Sequence, residues 1–177
     1  MALIFSQRYS SAFAFGLLEA GFTRGDSIVM WIDRESNAES IIAQLGAMKT
    51  GVTLVNFSEN NCKDALDHAL KSSNAKGLIF SPNTEIDQST KRADVLHELM
   101  PELNSMYFGE ELISASYPHL NHIVQTGFST IKGTNKFKDV AVYTSPAMST
   151  YEMPENSPDD VCIVTQKEGK TVSSYTN

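Results

Sequence analysis

Short apolar runs alternate with longer stretches of helical spacing through the first 126 residues. In residues 6–21, Ala14, Leu17, Leu18 and Gly21 recur at i, i+3, i+4 and i+7, which predicts an amphipathic helix stopped by Gly21. After the turn Thr23-Arg24-Gly25-Asp26, the apolar run 27–32 (SIVMWI) predicts a buried strand with Trp31 in the core or at an interface. Asn37 is placed to cap a helix over 38–50, with Ile41, Leu45 and Met48 inward and Gly51 ending it. A strand over 52–57 (VTLVNF), a helix over 62–73 with Cys62, Leu66, Ala69 and Leu70 inward, and a strand over 76–80 (KGLIF) follow. Strands alternating with crossover helices predict a parallel sheet with helices packed on it.

The second half is less regular. A polar turn over 82–88 leads into a helix over 91–100, ended by Pro101, and a short helix over 110–115. Residues 122–126 (HIVQT) predict a fourth parallel strand and 161–165 a fifth. Between them, 127–157 is rich in Gly, Ser, Thr, Lys and Pro, with modest regular pieces such as 139–143, and reads as a segment that wraps a surface or meets a partner. The expectation is one α/β unit, a mostly parallel sheet with flanking helices. It divides into a regular core (1–126), an irregular surface segment (127–157), and a strand plus loop (158–177).

Charge narrows the function classes. A formal net charge of −7 and an isoelectric point near 5.0 disfavour nucleic-acid binding, which draws its affinity from Lys and Arg. No run has the length of a transmembrane helix, which leaves only peripheral association with a membrane complex. Cys62 and Cys162 stand far apart, form no metal-ligand spacing, and read as free thiols in a reducing compartment. Asn56-Phe57-Ser58 is a chance glycosylation sequon in a chain without a secretory signal. Arg, Ser and aromatic residues precede the first acid, Glu19, in the manner of a mitochondrial presequence, but their apolar spacing runs into the first helix and assigns them to the fold. His119 and His122 do not share a helix, so no metal site is expected, and no G-x-S-x-G nucleophile motif occurs.

The last nineteen residues, DDVCIVTQKEGKTVSSYTN, carry the most specific signal. Asp159-Asp160, the apolar run Val161 to Val164, Thr165, Gly169, Lys170 and Thr176-Asn177 resemble, in order, the phosphate-loop region of acyl-CoA synthetases and other adenylate-forming enzymes. That region reads roughly TSGTTGxPKGV and continues to a Thr-His pair. Between Thr165 and Gly169 the likeness fails: Gln166-Lys167-Glu168 replaces small residues, and the loop is shorter by about two. A phosphate cradle needs converging backbone N–H groups, permissive glycines and small hydroxyls. Gln166, Lys167 and Glu168 supply none of these, and Glu168 adds a negative charge. Gly169-Lys170-Thr171 also suggests the end of a Walker A loop, but Val164 stands where its first Gly belongs. The plain alternative is a surface turn after a buried strand.

The resemblance extends over nearly the whole chain. Gly16-Leu17-Leu18-Glu19-Ala20-Gly21 with Gly25-Asp26, then Ala47 to Gly51 with Asn56, then Leu66, Leu70, Ser73, Ala75, Lys76, Leu78 and Ile79 follow the family's N-terminal order. Residues 98–101 and 119–124 resemble medium-chain, mitochondrial-type members. The family joins ATP and a carboxylate as an acyl-adenylate and passes the acyl group to CoA. Its adenine, metal and lysine motifs lie beyond the phosphate loop, and none occurs in this sequence. The resemblance therefore implies no catalytic residue. Thr165, Gly169 and Lys170 are the positions with an inherited anion-binding role, in a damaged loop, and neither ATP nor CoA is expected as a resident cofactor. The function expected is a non-catalytic synthetase-like module, a structural accessory subunit of a larger mitochondrial, respiratory-type complex whose partners are other protein subunits. The alternatives are the N-terminal half of a split acyl-CoA ligase, a nucleotide- or CoA-binding module, and a cytoplasmic location.

Overall fold

A computed structural model describes residues 2–33, 37–57, 63–86, 90–141, 155, 157–167 and 170–176. Among these described residues, five helices and seven strands follow in the order α1 (Ala2–Glu19), β1 (Ser27–Trp31), α2 (Asn37–Thr50), β2 (Thr53–Phe57), α3 (Lys63–Ser72), β3 (Gly77–Phe80), α4 (Arg92–Leu99), β4 (His122–Gln125), β5 (Asn135–Lys136), α5 (Phe137–Ala141), β6 (Val161–Lys167) and β7 (Lys170–Thr176). A 3-10 turn, Pro101–Ser105, follows α4. The strands form one sheet in the order β5-β4-β3-β1-β2-β6-β7, parallel throughout except for the β6–β7 pair. This is the expected α/β class. β1 lies at the centre with all five residues buried, as an unbroken apolar run requires when both sheet faces are covered.

Alternation along each strand splits the core in two. Val29, Trp31, Val55, Phe57, Leu78 and Phe80 pack on one face with Leu66 and Leu70 of α3 and Val95 and Leu96 of α4. Ile28, Met30, Leu54 and Ile79 pack on the other with Phe13 and Leu17 of α1, Ala43 and Ala47 of α2, and Phe137 of α5. At the amino edge, Lys76 Nζ meets Asp26 Oδ2 at 2.8 Å and the Gly21 carbonyl at 2.7 Å, tying the turn after α1 to the start of β3. Burial pushes the Asp26 carboxyl up, but hydrogen bonds from Lys76 and Thr23 outweigh it and hold the group below its ordinary value.

Three expectations are corrected. α2 does not bury Ile41 and Leu45: they are 51% and 36% exposed, while Ala43, Gly46, Ala47 and Thr50 face inward. The reason is close approach, since a Cβ on Gly46 would stand 2.7 Å from the Phe13 ring of α1. No helix forms over 110–115; that stretch is irregular backbone, with Leu112 N–H bonded to the Asn121 carbonyl and Glu110 accepting from the Tyr107 amide. The C-terminal turn is not followed by loop but by β7, a full antiparallel strand. Cys62, expected on the inner face of α3, lies outside the described residues, as does most of 142–156. Cys162 is a buried free thiol, as expected.

Candidate functional site

Two places at the carboxyl edge of the sheet invite chemistry. The chain passes from β1 through α2 to β2 on one side, then crosses back through α3 to β3 on the other. The order reverses between β1 and β3, and the crevice above such a switch is where open α/β sheets hold ligands.

Registers place a single row across that edge. Gln166 pairs with Phe57, Trp31 with Phe80, and Phe80 with Gln125, while the Trp31 and Phe57 rings meet edge-on at 6.2 Å. Three aromatic side chains are thus flanked by two glutamines, both buried. The Oε1 atoms of Gln125 and Gln166 have no hydrogen-bond partner among the described residues. Gln125 Nε2 donates to the Ser129 carbonyl. Arg92 of α4 covers the row: its guanidinium lies 4.9 Å from the Trp31 ring, and Nη1 donates to the Trp31 carbonyl at 3.0 Å. Burial pulls the Arg92 guanidinium down from its ordinary value, and the Asp33 carboxylate opposes that pull. Thr84 Oγ1 donates to Asp33 Oδ2 at 2.7 Å, and the Ser81 and Thr126 hydroxyls meet at 2.9 Å. The crevice floor is therefore a buried polar rim over an aromatic layer, with Gln125 Oε1, Gln166 Oε1 and Arg92 Nε left without partners among the described residues. A charged residue opening a helix reads as solvent-facing in sequence, and only the packing in the fold reveals that Arg92 lies over Trp31.

The second place is the β6–β7 hairpin. Thr165 is half-buried in β6, opposite Asn56 of β2 and Ser173 of β7. Asn56 Oδ1, like Gln166 Oε1, has no partner among the described residues. Lys167 and Lys170 pair directly, so residues 168 and 169 alone link the strands. Gly169 lies outside the described residues, and Lys170 is described by its backbone only. Of the three positions singled out in the sequence, Thr165 is thus a strand residue of β6 and Lys170 opens β7. Asp160 accepts from Arg24 at 2.6 Å and from the Ser157 amide, which pins the start of β6 to the turn after α1. His119 is exposed and His122 half-buried, its ring 5.2 Å from that of Phe22. Among the described residues no group of His, Cys, Asp and Glu is arranged to hold a metal ion. No described helix is long and apolar enough to cross a membrane.

Comparison with known proteins agrees with this architecture. No curated protein sequence matches. Among solved structures, coronafacic acid ligase from Pectobacterium brasiliense superposes with a TM-score of 0.68 at 14% identity, covering 97% of this chain and 29% of that one. An acyl-CoA synthetase from Brucella canis gives 0.65 at 16% identity, covering 93% and 25%. Acetoacetyl-CoA synthetase from Streptomyces lividans gives 0.66 at 13% identity, covering 90% and 22%. The chain thus spans less than a third of the length of these relatives. The family model of AMP-binding enzymes matches residues 6–165, ending at the last residue before the altered Gln166-Lys167-Glu168 segment. This chain belongs to the AMP-binding enzyme family, of which it carries an N-terminal part.

Proposed function

We propose that the chain is a non-catalytic member of its family that serves as a structural subunit of a larger assembly. One observation carries the reading. Where the family resemblance calls for a wide, glycine-rich anion loop, β6 continues through Gln166 to Lys167, which pairs with Lys170 of β7. Backbone N–H groups committed to a strand ladder are not free to converge on a triphosphate. Gln166 is buried against the sheet rather than opening a cradle. A seven-residue edge strand also offers a row of backbone groups that a partner can pair. A mitochondrial, respiratory-type complex is the assembly we propose, on the sequence resemblance alone.

Pyrophosphate release with ATP and a range of carboxylates is expected to stay at background for the purified chain. On native gels of its source material, the chain is expected to migrate within a high-mass complex. Turnover by the chain alone, or migration as a free monomer, sinks the proposal. One observation favours a second reading, the N-terminal half of a split ligase: the relatives are three to four times longer, as the coverages of 29% and 25% imply. That reading requires a complementing chain whose addition starts acyl-dependent pyrophosphate release.

A further inference from the structure

The β5 end of the sheet carries a surface that neither the family nor the hairpin accounts for. Between Glu111 and Asp139 the sequence contains no acid and three lysines, Lys132, Lys136 and Lys138, in a chain of net charge −7. Beside them stand exposed aromatic side chains: Tyr107 at 77%, Phe108 at 44% and Phe128 at 95%. The fold joins these pieces. The Gly133 amide donates to the Tyr107 carbonyl at 3.2 Å, Lys132 Nζ reaches the Asn104 carbonyl, and Lys136 Nζ lies 5.7 Å from the Phe108 ring. Phe128 projects from the turn after β4, which Gln125 and Asn83 fasten through Ser129. None of the three lysines forms an ion pair among the described residues. Glu110, which accepts from the Tyr107 amide, Glu111, and Asp139 directly after Lys138 are acids that border the patch.

We propose that this edge docks on an anionic phospholipid surface. Tyr107 and Phe108 project from one turn and Phe128 from another, instead of forming one packed plate. That form suits insertion of single rings among headgroups better than contact with a flat protein. Lysines around such rings add attraction to acidic lipids, at about one kcal/mol each, or roughly fivefold in affinity. The inference stands apart from the reading of the β6–β7 hairpin, which lies at the opposite end of the sheet.

The test is co-sedimentation of the full chain with vesicles of phosphatidylcholine alone and with roughly one third phosphatidylserine. Pelleting is expected with the anionic vesicles only, and high salt is expected to abolish it. Changing Lys132, Lys136 and Lys138 together to Gln is expected to weaken binding about a hundredfold. Phe128→Ser with Tyr107→Ser is expected to weaken it at least about tenfold. Tyr107, Phe128, Lys132 and Lys138 are exposed and Lys136 is half-buried, and unchanged thermal unfolding confirms that each variant folds. Ile41→Ser, on α2, is the control and should bind normally. Failure to pellet at low salt, equal pelleting with neutral vesicles, or indifference to both variants overturns the proposal. So does a need for the same residues in binding an acidic protein while vesicles are ignored.

Discussion

Gly46 shows how one absent methyl sets the spacing of two helices. An added Cβ would meet Phe13 Cδ1 at 2.7 Å and the Ser10 carbonyl at 3.0 Å. Phe13 cannot yield, because it is fully buried and stacked on Phe137 at 4.8 Å. Alanine normally favours a helix interior by about 0.5–1 kcal/mol over glycine. Here the overlap should win: Gly46→Ala is expected to destabilise the fold by about 1–3 kcal/mol in urea unfolding. A stabilised variant would mean that α1 and α2 stand farther apart than described.

At the scale of elements, α2 separates what the sequence displays from what packing selects. Periodicity picks out the bulkiest apolar residues, Ile41, Leu45 and Met48, as the inner face. Packing against α1 instead selects the smallest, Ala43, Gly46 and Ala47, because only they admit Phe13. Ile41→Glu and Leu45→Lys are therefore expected to change stability by less than about 0.5 kcal/mol. Leu66→Ala in α3, where the periodicity and the burial agree, should cost about 2–5 kcal/mol. Denaturation midpoints compared at constant slope decide between these outcomes. The buried strands were legible because both their faces are covered, so SIVMW and GLIF are apolar without interruption. β7, KTVSSYT, was not legible: a strand at a sheet edge needs few apolar residues, and its polar sequence reads as loop. The candidate site followed the same division. Thr165 was locatable as the end of an apolar run, whereas the row that runs from Gln125 to Gln166 exists only through register, and Arg92 reaches it only through its contact with Trp31.

For the whole molecule, acid stability follows from carboxylates that fold into partnerships. Asp26 is held low by Lys76 and Thr23 against the upward push of burial. Asp67 is held low by Lys71 and Tyr117, again against burial. The hydrogen bond from Arg24 does the same at Asp160. A carboxyl depressed in the folded state stabilises it above the unfolded value, about 3.9, and that contribution disappears as pH falls through the lower folded value. Asp26→Asn is therefore expected to cost about 1–2 kcal/mol at pH 7. Urea unfolding repeated toward pH 2 should find the two proteins converging; a constant gap would assign the loss to packing instead of charge. Added salt should erode the Lys63–Glu98 contact first, since its side chains are 47% and 61% exposed.

The Cys162 thiol donates to the Tyr175 carbonyl across the hairpin at 3.2 Å and is 3% exposed. Reagents in solution can alkylate its sulfur only after the outermost strand peels away or the whole chain unravels. Its modification rate thus clocks how often that border of the sheet opens, at a position where nature has already installed the reporter.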